Sequence, residues 1–470
     1  MASLSYEEGA HLLRRAGFGG NPQEIDDLVA RGREGAVDFL LNYTQIDNSA
    51  MESLLASSFS LTGDGISPGE IRRWWFTRMV NTRRQFEEKM TLFWHNHFAT
   101  SGSKVQDVFM LSQNVLLRQL ALDRFDNLLL KVSQDAAMLI WLDNITNVLG
   151  KANENFGREL QELFTMGIND VVTGEQNYTE QDVKEVARAF TGWNYRRQAP
   201  FPFQLTASQH DNGSKSIYTG TPWEQTGNLS GEDVITIVSA RPATARYLTW
   251  KLFTFFVYPV TGSAADKATI DRFAKVYLNN NHSIKELVRA ILTSDEFFSE
   301  RAFFSLVKQP AELIVGAIRM LGGTYNQGTQ GRGSNTLQVS SRNMGQDLFG
   351  PPDVAGWDFN LGWVNTASML ERFNFANTYV NNRNTTNPGV FVTNDQLRSI
   401  TKPSSKKTVK RFLSRLGPLS VGEALGTLRT YLETGDNGQP VIYVNDDATV
   451  DKKIRGLVHQ IMSLPEFQLN

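Results

Sequence analysis

Cysteine is absent from all 470 residues. That excludes disulfides, thiolate zinc sites, cysteine-held iron–sulfur clusters and a cysteine nucleophile. Strong charge of either sign is missing too. The 47 Lys and Arg nearly cancel the 49 Asp and Glu, for a formal net charge of -2. With no long basic run, this balance argues against a nucleic-acid binder. No apolar stretch approaches the roughly 18 residues of a membrane span, and KLFTFFVYPV is far too short. The opening MASLSYEEGAHLLRRAGFGG lacks the shape of a signal peptide. A trimmed export signal would leave the same start, so an exported and a cytoplasmic protein both fit.

What is present is helical pattern. The expected fold is all-α: a large multi-helix globular body with long ordered loops and a small β-hairpin excursion. The length suits one large or two ordinary domains. We read 1–470 as one helical domain, divisible into a helical half 1–195, an excursion 196–225 and a helical half 226–470. Ser5 to Ala16 reads as a helix, and Asn21-Pro22 opens another in cap-then-proline order. His11 lies among apolar positions, as a core or capping histidine does. Ser67-Pro68 starts a helix carrying Ile71, Trp74, Trp75 and Met79, a buried aromatic seam with arginines outside. Later helices are expected at Gly231–Ser239, Ala243–Val257, Ala265–Asn279, Ile284–Leu292 and in AELIVGAIRMLGG.

The densest chemistry lies between Asn153 and Trp193. Asn153 suits a helix N-cap and Gly167 the left-handed residue that ends the helix. Phe156, Leu160, Leu163 and Phe164 share one arc at 100° per residue. Glu154, Arg158 and Glu162 lie opposite at four-residue spacing, so the arginine is placed to bridge both acids. Glu159 sits one turn before Glu162. If that face is covered, repulsion and burial raise one of the two carboxyl pKa values. A solvated charged face is the plainer reading. The next helix begins with the capping box Thr179–Asp182. Val183, Val186, Ala187 and Phe190 form its apolar side, and Asp182, Glu185 and Arg188 its charged sides. Trp193 follows.

The histidines sit in two further segments. In QFEEKMTLFWHNHF, His97 falls on the stripe of Phe86, Met90 and Phe93, and His95 faces roughly the other way. Two residues on one helix need i, i+4 spacing to share a metal. A divalent ion on His95 and His97 therefore requires a helix break near Asn96. A site histidine hydrogen-bonded to a glutamate is the alternative. After Trp193, SQHDNGSKSIYTG places His210, Asp211 and Lys215 on a turn, where scaffolded side chains often react. The oxygen-rich Asp143, Asn144, Asn147, Lys151 and Asn153 lack EF-hand spacing, and turn and capping roles are their default. Gly323 to Asn343 reads as a polar loop. MGQDLFGPPDVAGWDFNLGWVNT reads as an ordered wrap in which Trp357 and Trp363 either close a pocket or pack beneath the loop.

Taken together, AHLLRRAGFGG, FWHNHF, VSQDAAMLIWLDN, NENFGRELQELFTMG, YTEQDVKEVARAFTGW, HDNGSK, MGQDLFGPPDVAGW and SLPEFQ resemble, in this order, the DUF-1800 family of bacterial proteins. The resemblance covers nearly the whole chain and implies no activity. It marks polar or charged types at His95, His97, Glu154, Arg158, Glu159, Glu162, Asp182, Glu185, Arg188, His210 and Asp211. Phe164 stands where members often carry His, and Asp-Phe-Asn-Leu after Trp357 departs from a glycine-rich run. The resemblance also implies export in many members, and a sulfatase- or phosphatase-like protein encoded nearby as partner.

Two functions are expected from these residues. The first is a hydrolase, on a glycan or other polymer, with Glu159 and Glu162 as acid/base pair. Asp182, Glu185 or Asp211 would be further carboxylates, and His210 a proton shuttle. Arg158 and Arg188 would balance charge, and Trp193, Trp357 and Lys215 would bind substrate. A metal-assisted form would add His95 and His97 as ligands. The second is a non-catalytic helical accessory protein whose charges form a structural network.

Overall fold

The computed structural model describes residues 3–61, 66–326, 337–383, 389–417, 421–422 and 424–470. Ser5 caps the first helix, Tyr6–Arg15, in a reciprocal box with Glu8, and Asn21 does the same with Glu24 for Pro22–Val29. Each such cap satisfies orphan N–H groups and is worth about 1 kcal/mol. Helices dominate, and among the described residues strands appear only as three two-stranded antiparallel pairs. The mainly α expectation holds. One connected apolar core includes residues from Leu4 to Phe467.

The aromatic helix Pro68–Asn81, the histidine helix Gln85–His97 and the following helix Asp107–Gln119 are pinned by one carboxylate. Glu88 is fully buried and accepts from Trp75 Nε1 at 2.8 Å, Arg78 Nε at 2.8 Å, and Arg118 Nε and Nη2 at 2.7 and 2.9 Å. Four donors satisfy an ion that would otherwise cost several kcal/mol to bury. Trp74 and Trp75 pack inward, so the aromatic seam is core. His11 is also interior, bonded to the Phe297 carbonyl at 3.0 Å and stacked on Phe303.

The Asn153–Trp193 segment forms two packed helices. Asn153 accepts from Asn155 N and caps Glu154–Glu159. The chain then widens into a π-helical turn, Leu160–Thr165, before Gly167 ends it at φ 76°. Thr179 caps Glu180–Ala189, with the Asp182 box as expected. Gly157 lets the helices touch: a Cβ there would lie 3.1 Å from Ala187 N and from Val183 O. The excursion is larger than 196–225. Residues 193–195 pair with 203–205, and 215–217 with 225–227.

One loop expectation changes and another holds. Within the polar stretch 323–343, Thr324–Asn326 pairs as a strand with Gly389–Phe391, and Leu337–Asn343 is helical. Residues 327–336 lie outside the described residues. The Gly/Pro/Trp segment does wrap inward, with Trp357 and Trp363 buried beside Val307.

Candidate functional site

The π turn resets the charged face. Arg158 does pair with Glu154, at 3.5 Å, but not with Glu162. Its other partner is Glu180 of the neighbouring helix, held by two bonds of 2.7 and 2.8 Å. A wide turn inserts extra arc between positions 158 and 162, so the i+4 alignment is lost. It also buries Gln161 in place of Leu163, which is half-buried. Gln161 donates to the Gly157 carbonyl at 2.9 Å and accepts from Tyr218 Oη at 3.0 Å.

Glu162 accepts instead from the Tyr178 hydroxyl at 2.9 Å. Beside it, half-buried Glu159 has no ion pair or hydrogen bond to its carboxylate among the described residues. Burial first, and then the Glu162 charge, raise the Glu159 pKa above the ordinary glutamate value, with Arg158 opposing. The other acids here are committed. Asp182 is buried and accepts from Thr179 N and Oγ1, both at 2.7 Å, and from Tyr218 N at 2.5 Å.

The far end of the second helix gathers the HDNGSK turn. Arg188 donates to Glu185 at 2.7 Å and to both Asp211 oxygens, and this pairing holds the Asp211 carboxyl below its ordinary value. Lys215 is buried and donates to the carbonyls of Asp211 and Gly213, at 2.6 and 3.0 Å. His210 Nδ1 donates to the Thr191 carbonyl at 2.9 Å, and Thr191 Oγ1 accepts from Asp211 N at 2.8 Å. The structure therefore brings together Glu185, Arg188, His210, Asp211 and Lys215, as an interlocked turn. Asn147 ties this end to the linker, donating to Ala187 O at 2.9 Å and accepting from Asn153 N at 2.9 Å. The oxygen-rich run is thus turn and cap structure.

His95 and His97 do not converge. The helix runs unbroken to His97, and Asn96 accepts from Trp357 N at 2.7 Å. His95 Nε2 accepts from Phe349 N at 3.0 Å, whereas His97 Nε2 donates to the Phe164 carbonyl at 3.0 Å. Their neutral tautomers are therefore opposite. Burial pushes the His95 pKa to about 3, and burial with nearby Lys251 carries His97 well below its ordinary value. Among the described residues, no group of three or more His, Cys, Asp or Glu could hold a metal ion. The expected shared site on His95 and His97 fails because the helix does not break, leaving the rings in separate surroundings.

The tryptophans are interior as well. Trp193 is 1% exposed, between Phe190 and Phe203 with centroids 4.8 Å away on each side. Trp357 packs 5.4 Å from the His95 ring. Lys251 was not anticipated from periodicity. Desolvation lowers its pKa to about 8, and among the described residues it has no carboxylate partner. Its signal is a lysine between Trp250 and Leu252 in the largely apolar second half of the helix Pro242–Phe256.

No helix among the described residues is long and apolar enough to cross a membrane. No curated protein matches the chain, and no solved structure does. A family model described as Protein of unknown function (DUF1800) matches residues 11–469, nearly the whole length, and the chain belongs to that family.

Proposed function

We propose that the protein is a hydrolase of acid/base type, with Glu159 as general acid and Glu162 as its companion carboxylate. The observation that carries this reading is the unpartnered, half-buried Glu159 carboxyl beside a Glu162 oriented by Tyr178. Acid/base hydrolysis needs two carboxyl groups whose surroundings push their pKa values apart. Asp182, Glu185 and Asp211 are each held by other groups, which leaves Glu162 as the second member. Carboxylates one helical turn apart fit the short spacing of double-displacement glycoside hydrolysis, about 5 Å, better than the roughly 6.5–9.5 Å that leaves room for a water.

The test is a panel of nitrophenyl glycosides, acetate, phosphate and sulfate, run with wild type, Glu159→Gln and Glu162→Gln. The expected result is turnover of one ester or glycoside class, reduced roughly 100-fold or more in Glu159→Gln with melting unchanged. Absence of turnover across the panel, or full activity in Glu159→Gln, overturns the reading.

The second reading is a non-catalytic accessory protein acting with a sulfatase- or phosphatase-like partner. It is favoured by the Arg158–Glu180 and Arg188–Asp211 pairs, which tie together the elements that carry the charges. Ion networks of this kind perturb pKa values without doing chemistry.

A further inference from the structure

Away from the Glu159 helix pair, a second concentration of charge is buried around Glu312, at the start of the helix Pro310–Leu321. Among the described residues, Glu312 is the carboxylate acting on Arg15, Lys89, Lys308 and Arg372, and Arg14 adjoins Arg15 and Lys308. All five cations are 3% exposed or less, and Glu312 is 7% exposed. Five interior cations thus lie around a single Asp or Glu side chain among the described residues.

The acceptors these cations use are mostly neutral. Lys89 alone forms an ion pair with Glu312, whose other oxygen takes Asn470 Nδ2 at 2.9 Å and Gln309 N at 3.0 Å. Lys308 donates to the Phe467 carbonyl at 2.6 Å, and Arg372 to the Lys308 carbonyl at 2.8 Å. Arg15 donates through one terminal nitrogen to the Ala302 carbonyl and to Ser305 Oγ. Its Nε and second terminal nitrogen are buried without an acceptor among the described residues, and so are the same two atoms of Arg14. Buried like charges repel far more strongly than in water, and orphaned charged donors cost more than neutral ones. Burial lowers the Arg14 pKa to about 10 and the Arg15 pKa to about 9, both still cationic at neutral pH.

A cavity opens among these groups, with Arg15, Lys89, Gln309, Glu312 and Asn470 as its polar lining and Trp363 among its apolar walls, and about 10 Å³ of room for the centre of a water-sized group. That space admits one water or one ion of similar size, and not a phosphate without rearrangement. We propose that this cavity binds one small monatomic anion, a halide, held by the Arg15 guanidinium and the Lys89 ammonium. The anion supplies the acceptor that Arg15 lacks and offsets the excess positive charge. The site shares no residue with Glu159, Glu162 or Tyr178, so it stands whether or not the hydrolase reading does.

The full chain is melted at constant ionic strength in sodium isethionate, with chloride or formate substituted stepwise. Saturable stabilisation by chloride is expected, with at least tenfold more chloride needed for the half-effect in Arg15→Met. Stabilisation by formate alone overturns the proposal, because the space is too small for a carboxylate group. A midpoint indifferent to which anion is present, or the same concentration dependence in Arg15→Met, overturns the proposal. Should Arg15→Met not fold, the wild-type chain gives an independent reading through broadening of the chloride NMR signal. Broadening reversed by bromide supports the site, and broadening no greater than that from surface charge overturns it.

Discussion

Arg188 grips Asp211 with two nitrogens along one edge of its guanidinium: Nε donates to Oδ2 at 2.8 Å, and Nη2 to Oδ1 at 3.3 Å. The remaining terminal nitrogen reaches Glu185 at 2.7 Å and the Ser214 carbonyl at 3.2 Å. One side chain therefore fastens the HDNGSK turn to the helix Glu180–Ala189. A lysine offers a single point charge and cannot reproduce this fork.

The first prediction concerns that fork. Arg188→Lys and Asp211→Asn should each destabilise by roughly 1 kcal/mol, a discounted figure because the Arg188 side chain keeps 28% exposure. The double variant should lose less than the sum, with a coupling of about 0.5–1 kcal/mol by urea unfolding. Strict additivity would show that the pair contributes nothing beyond its separate members.

The second prediction rests on Gly157. Alanine there would gain roughly 0.5–1 kcal/mol of helix propensity. Its Cβ would press against Ala187 N and Val183 O at 3.1 Å, and backbone atoms cannot swing aside. Overpacking of this sort costs about 1–3 kcal/mol, so the net effect of Gly157→Ala should be destabilising. Gly426, exposed in the helix Ala424–Leu432 with nothing within 4 Å of a built Cβ, is the control. Gly426→Ala should stabilise. A shared sign for the two variants in denaturant midpoints would refute the close-contact argument.

These residues also show where sequence reading succeeds and where it stops. Caps at Ser5, Asn21, Asn153 and Thr179 were legible because a side chain three residues or fewer from an N–H decides them locally. So were Gly167 and the raised carboxyl pKa in the Glu159–Glu162 pair. The Arg158–Glu162 bridge was not, because a π turn depends on packing around Gln161 and leaves no periodic trace. The fate of the histidines was equally hidden. His95 meets Phe349 and His97 meets Phe164 across long sequence separations, which spacing within one helix does not encode. The cations around Glu312 come from segments up to hundreds of residues apart, so no local pattern announces them.

The third prediction concerns Glu87, the neighbour of the Glu88 hub. Glu87 is 7% exposed, and one of its oxygens is buried without a partner. Burial and then the Glu88 charge push its pKa up to about 7, with Arg118, Arg78 and Arg84 opposing. A carboxyl whose folded pKa lies above its unfolded value keeps a proton in the native state that the unfolded chain has already released. Stability from this group is therefore full below about 4.5 and is lost as pH rises through about 7. Glu87→Gln removes the ionisation while keeping the shape. Its advantage over wild type should be small at pH 5 and grow to roughly 2–3 kcal/mol by pH 8. Urea unfolding at the two pH values measures the difference directly. An advantage for Glu87→Gln that stays constant with pH, or one that shrinks as pH rises, would mean that Glu87 is ionised in the folded protein throughout the range.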